Sequence, residues 1–192
     1  MSDYAVRMRT GLPTAVWGMI ILIASEATLF SAFIAVYFYL RFTSPDWPQD
    51  GLPAPAVAVP LILVACLVAT SIPMQLASVA ARAGRLAATR LYLVVALVVQ
   101  AGYLAYEVHD FRDELQTFDI GRNAYSSIYY TLLGADHAHV ALGILFNLWL
   151  LGKLATGLTT YRVDAAQAIA WYWHAVNAIT VAVILTLLSA NL

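Results

Sequence analysis

The sequence predicts an all-α fold: a polytopic membrane helix bundle of five transmembrane helices, forming one domain over 1–192, with the N-terminus inside and the C-terminus outside. Three observations carry this prediction. Hydrophobic residues make up 62% of the 192-residue chain and charged residues only 11%, where a soluble domain carries about 25% charged residues. The apolar residues are gathered into five runs, each long enough for the roughly 20 residues that a bilayer crossing needs. Basic residues are distributed unevenly between the loops: if helices alternate, Arg7, Arg9, Arg82, Arg85, Arg90, Lys153 and Arg162 share one side, and only Arg41, Arg112 and Arg122 the other. The side richer in basic residues is expected to be cytoplasmic. A net charge of −1 gives no reason to expect nucleic acid as a partner.

The helices are expected at about 14–41, 54–81, 88–108, 126–151 and 166–188. The first apolar run is too long for the apolar core of a signal peptide and no small-residue cleavage site follows it, so it reads as a retained helix. It ends at 43–53 (TSPDWPQDGLP), which is rich in turn-forming Pro, Gly and Asp. Pro55 and Pro60 sit near the start of the second helix, where proline is tolerated. Pro73 lies inside it and should kink it, because proline removes one backbone bond. Residues 82–89 form the next turn. The stretch 109–123 (HDFRDELQTFDIGRN) is the most polar in the chain and reads as a loop, and 153–164 as the last one. Cys66, the lone cysteine, excludes an intrachain disulfide and a thiolate cluster and reads as small core filler. Most Trp and Tyr residues fall near helix ends, where their rings suit the membrane interface. Gly134, Ala135, Ala138, Ala141 and Gly143 give the fourth helix a small-residue face for close packing.

Polar groups at membrane depth are the informative minority. Glu26 stands in an otherwise apolar run, 17–39, and a carboxylate at the centre of a bilayer costs about 2.5–3.5 kcal/mol even on a lenient scale. At 1.5 Å per residue it lies about 18 Å from the inner end of the first helix, and His139 lies about 20 Å from the outer end of the fourth. Asp136, His137 and His174 fall at neighbouring depths. Glu26, Asp136, His137, His139 and His174 therefore form a candidate buried cluster whose members satisfy one another by hydrogen bonds. Glu26 reads either as a proton-handling group or as a structural acid bonded to a neighbouring helix. No metal ligand set, no nucleophile with a base and no phosphate loop appears, so no catalytic centre is expected in this chain. His137 and His139 are two apart and point to different helix faces.

Three motifs go further. The first helix carries SEATLFSAFIAVYFYLR, the fourth YSSIYYTLLGADHAHVALG, and the fifth opens with WYWHAVNA. In this order and spacing they resemble subunit III of the haem–copper cytochrome c oxidases, in the short five-helix bacterial form, over roughly 14–190. By that resemblance Glu26 matches the buried carboxylate of the first shared helix. His139 and Gly143 match the family's HVxxG segment. Tyr125, Ser127, Tyr129 and Tyr130 match its tyrosine-led run, and Trp171, Tyr172, Trp173 and His174 its WYWH box. The sequence departs from the pattern at Ser126, where the family has Gly; at Asp136 and His137, where it has His then Gly; and at Asn177, where it has Asp.

The resemblance implies an accessory subunit without a cofactor of its own, in a respiratory oxidase that takes electrons from cytochrome c, reduces O₂ to water and pumps protons. Haem and copper belong to the partner subunit I, and copper to subunit II. The implied partners are subunit I by direct packing, subunit II, a subunit IV, membrane phospholipid and a larger respiratory supercomplex, in a bacterial cell membrane. The implied role is support of proton uptake, of lipid and O₂ access, and of stability during turnover. Other readings of the same residues are an accessory subunit of a quinol oxidase or nitric oxide reductase, a stand-alone haem-b cytochrome using His139 and His174, and a small proton-coupled transporter.

Overall fold

A computed structural model describes residues 11–192; Arg7 and Arg9, counted above for orientation, lie outside the described residues. Among these residues there is no strand, and five helical spans are long and apolar enough to cross a membrane. In order they are α1 (Thr14–Thr43), a second span broken into α2 (Ala58–Ala69) and α3 (Ser71–Arg82), α4 (Leu86–Thr117), α5 (Ala124–Leu154) and α6 (Thr160–Leu188). Turns at 83–85 and 155–159 lie on the face where α1 begins, here the N-terminal face. The segments 44–57, 118–123 and 189–192 lie on the opposite, C-terminal face.

The helices form where the apolar runs predict them, with three differences at their ends. The second span starts at Ala58 rather than 54, because Pro55 holds the preceding residue in extended backbone. It then breaks at Thr70, three residues before Pro73. The proline lacks the N–H that would reach back to the carbonyl of Ala69, and its ring crowds that carbonyl, so the turn tightens into a bond from Thr70 N to Leu67 O (3.0 Å). The third span runs on to Thr117, so most of the polar stretch read as a loop is helix. Residues 109–117 contain neither Gly nor Pro, and Arg, Glu, Leu and Gln favour helix as α4 leaves the membrane. His109 belongs to this extension and meets Asp113 one turn on, at 3.2 Å. The fifth helix likewise begins early, at Thr160, with Thr159 as its N-cap.

The core is arranged around α6, which packs against α1, α2, α3 and α5. In the apolar stretch of α6, 56% of residues are buried within the bundle; in that of α1 the share is 6%. Thus α1 is a peripheral helix whose surface is left to lipid or a partner, anchored by a few buried residues (Val16, Phe30 and Tyr37). Cys66 is exposed rather than core filler, because α2 also turns much of its apolar surface outward. At the C-terminal face the 44–57 segment folds over the start of α5. The Asn123 amide donates to Asp50 Oδ2 (2.8 Å), while its oxygen caps Ser126 N (2.9 Å). At the opposite face Gly84 ends α3 at φ +69° and lets Arg85 N bond Ala80 O at 2.9 Å, the left-handed stop that glycine accommodates without strain.

The break at Thr70 is filled from α6. Trp173 of the WYWH box is fully buried, and its indole N–H donates to Thr70 Oγ1 at 2.6 Å. The Asn177 amide donates to Ser71 Oγ at 2.7 Å. The Thr70→Val substitution is expected to destabilise the protein by about 1–3 kcal/mol, because it leaves the indole N–H without a partner. Trp173→Phe in the Thr70→Val background should cost less than the sum of the two single changes. Thermal unfolding in detergent of the four proteins of the cycle checks this.

Candidate functional site

The five titratable residues singled out in the sequence are all placed within the bundle, but as separate pairs rather than one cluster. His137 and His139 leave opposite sides of α5, as their spacing requires.

His139 faces α1. Its Nδ1 lies 2.7 Å from the carbonyl of Ala135, one turn back. A carbonyl only accepts, so Nδ1 carries a proton and donates it. Its Nε2 lies 2.8 Å from Glu26 Oε2. Since the Nδ1 proton is already assigned, this second contact requires a further proton between nitrogen and oxygen. Either an imidazolium donates to a carboxylate, or a carboxylic acid donates to the imidazole. Both descriptions place one transferable proton in the bridge. The side chains are 16% (His139) and 23% (Glu26) exposed within this chain, so this chain alone does not close the site on the α1 side. Phe30, one turn beyond Glu26, sets its ring edge-on to the imidazole at 5.1 Å.

The motif residues of α5 and α6 hold that imidazole. The Tyr172 hydroxyl donates to the His139 carbonyl at 3.0 Å. Gly143, one turn below His139, lies beneath the WYWH box: a Cβ there would sit 2.6 Å from the Trp173 ring and 3.3 Å from that of Tyr172. The small residue is needed for α5 and α6 to approach. Three sequence segments that lie far apart in the chain therefore meet at one place: Glu26 on α1, the HVALG turn on α5 and WYWH on α6.

The other members find different partners. His137 Nε2 meets Glu107 Oε2 on α4 at 3.0 Å, with both side chains about 10% exposed or less. The fully buried Asp136 accepts from Thr180 Oγ1 on α6 at 2.7 Å. His174 turns to α3 and meets the Gln75 side-chain oxygen at 3.2 Å, apart from the Glu26–His139 bridge. Of the remaining motif residues, Tyr125 is buried under the 44–57 segment, Ser127 Oγ donates to Ile120 O at 2.9 Å, and Trp171 is exposed. Ser126, standing where the family pattern has glycine, shares the Asn123 cap through both its N–H and its hydroxyl.

Sequence reasoning missed Glu107, Glu114 and Thr180. Glu114 receives the Tyr129 hydroxyl at 2.8 Å. Glu107 stood at the expected end of a helix and Glu114 in an expected loop, yet their spacing with Asp110 (i, i+3, i+7) is that of one helical stripe. Among the described residues, no group of three or more His, Cys, Asp or Glu side chains is placed to hold a metal ion.

Five spans with paired acids and imidazoles between them define a multi-pass membrane protein with proton-bearing groups in its interior. A sequence profile described as cytochrome c oxidase subunit III matches residues 3–189. Cytochrome c oxidase subunit 3 of Alkalihalophilus pseudofirmus is 25% identical, over 83% of this chain and 78% of its own. The probable cytochrome c oxidase subunit 3 of Nocardia farcinica is 28% identical, over 88% and 85%. The subunit 3 of Myxine glutinosa is 26% identical, over 85% of this chain but 64% of its own. The chain belongs to the cytochrome c oxidase subunit III family. It is accordingly an accessory subunit of a haem–copper oxidase, working in a complex with other oxidase subunits.

The packing under His139 is open to a direct check. Gly143→Ala should cost about 1–3 kcal/mol, as overpacking does, because the new methyl meets an immobile indole. Gly134→Ala on the same helix should be nearly neutral, since its nearest neighbour is Phe111 at 3.9 Å. Thermal melts of the two variants distinguish the positions.

Proposed function

We propose that this chain packs on the catalytic subunit I of a bacterial cytochrome c oxidase. There it supports proton uptake and protects the complex during turnover through the Glu26–His139 bridge. The observation that carries the reading is the 2.8 Å contact of His139 Nε2 with Glu26 Oε2, made while Nδ1 is bonded to the Ala135 carbonyl, on the least covered helix of the bundle. An acid–imidazole bridge holds a proton between two groups that can each carry it, and exchanges that proton with its surroundings. Its position beside α1 means that a neighbouring subunit or lipid completes its surroundings.

In this reading the N-terminal face, with Arg82, Arg85, Lys153 and Arg162, is cytoplasmic, following the excess of basic residues on that side. Haem and copper reside in subunit I and copper in subunit II, and a subunit IV and a larger supercomplex complete the assembly. The exposed apolar surface of α1 and α2 takes phospholipid and leaves O₂ a route through lipid to the catalytic subunit. Cytochrome c is the electron donor, as the names of the relatives indicate for those proteins.

The test is sustained turnover. Glu26→Ala should leave the complex assembled and its initial rate near normal, but shorten its catalytic lifetime several-fold. Glu26→Gln, which keeps a hydrogen bond to His139 Nε2 without an exchangeable acid proton, should do the same. Activity unchanged over many turnovers in both variants would remove the proton role. Full lifetime in Glu26→Gln alone would leave Glu26 as a structural bridge.

A further inference from the structure

A second polar system lies on the other side of α5 and includes Asp136 and His137, two of the residues that depart from the family pattern. Glu107, Asp110 and Glu114 form one stripe of α4 and line a cleft of about 170 Å³ at the C-terminal face, with Tyr129 and the start of α2. Glu114, near the end of α4, is held by the Tyr129 hydroxyl. Glu107, the deepest of the three, is bonded to His137. Beyond this pair are two buried groups with unmet hydrogen bonds: the Tyr103 hydroxyl, 4% exposed, and Asp136 Oδ2, in a residue with no exposure at all. The Tyr103 hydroxyl stands within electrostatic reach of both Glu107 and Asp136. Thr180 does not relieve the shortage, since its single hydroxyl proton faces both Asp136 Oδ1 (2.7 Å) and Val176 O (3.0 Å). Such a buried, unpaired polar atom costs about 1–3 kcal/mol, and in native proteins ordered water usually completes its bonds.

We infer that this cleft is a hydrated proton-exchange route leading from the C-terminal face to the Glu107–His137 pair and Asp136. Its ligands are water and the hydrated proton, and it is separate from the Glu26–His139 bridge. A proton arriving in the cleft water protonates the Glu107 carboxylate, which shares it along the 3.0 Å contact with His137 Nε2; the reverse step returns it to water. Only O–H and N–H bonds form and break. The titratable groups around the pair are Tyr103, Asp110 and Glu114 on α4 and Asp136 on α5, with Tyr129 bonded to Glu114; His139 and Tyr172 stand nearer Asp136. Pro55 and Ala56, just before α2, and Val59, Pro60 and Leu63 of α2 contribute only apolar side chains to the wall. The three carboxyl groups of the stripe favour cations over anions in the cleft. The inference rests on this chain's own cleft, and its outcome does not depend on the role assigned to Glu26.

The experiment is side-specific thiol labelling of the native complex in sealed vesicles, with Cys66→Ser as background. Glu114→Cys, Asp110→Cys and Glu107→Cys are made singly, with Val98→Cys, which points outward from α4 at 68% exposure, as the lipid-facing control. A membrane-impermeant cationic thiol reagent added at the C-terminal face should modify all three cleft positions, the deep one included, and leave the control untouched. It should act at least about tenfold faster than an anionic reagent of the same size, as a field-focusing acidic cleft requires. A Glu107→Cys protein as unreactive as the control, or one labelled only from the opposite face, would overturn the route. A second readout keeps the native side chains in the cleft: the infrared bands that vanish on Asp136→Asn should shift promptly when H₂O is exchanged for D₂O. Bands that stay fixed for hours would overturn it equally.

Discussion

The contact between Glu26 and His139 is the constraint around which the rest of this molecule is organised. It joins the least buried helix to the bundle, inside an apolar span where an unpaired carboxylate is costly. A hydrogen bond between membrane helices is worth only about 0.6–2 kcal/mol in general. Here it also fixes rotation, because only one face of α1 carries Glu26 and only one edge of the imidazole is free. The other edge is committed to the Ala135 carbonyl, and the His139 carbonyl is held in turn by Tyr172. The apolar surface of α1 would pack in many orientations, and the bridge selects one.

The same economy governs α6. Its WYWH box serves three neighbours at once: Tyr172 reaches α5, Trp173 reaches the break in the second span, and His174 reaches Gln75 on α3. Pro73 opens the backbone of that span, and Trp173 and Asn177 supply donors to the groups around the opening. Irregular backbone at membrane depth is tolerated where neighbouring helices satisfy it, which is why the proline and the indole form one unit. Gly143 completes it by letting α5 lie directly against the indole.

Much of this was legible in the residues. Five apolar runs give five spans, since hydropathy is what the bilayer reads. Depth counting from helix ends brings Glu26 and His139 to one level, and the structure joins them. What depth cannot show is the direction each side chain takes around its helix. Asp136, His137 and His139 share a depth yet turn to α6, α4 and α1 respectively. Glu114 escaped notice because the polar continuation of α4 looks like loop to a hydropathy count, and Glu107 because it stood at the edge of that stretch, although the acids keep helical spacing. Cys66 was misplaced for a physical reason. In a membrane protein the lipid-facing and the buried sides of a helix are both apolar, so composition does not say which side a residue takes. The departures at Ser126, Asp136, His137 and Asn177 each find a partner in the structure, among them the cap at Asn123 and the break at Thr70.

The central claim is that the Nδ1 proton of His139 is committed to the backbone, so that a second proton lies between Nε2 and Glu26. Nitrogen-15 magnetic resonance of histidine-labelled complex, with His139 assigned by its loss in His139→Gln, reads this directly. The account predicts a protonated Nδ1 and an Nε2 resonance that moves on Glu26→Gln while Nδ1 does not. A neutral ring bearing its only proton on Nε2, with Nδ1 bare, would contradict it.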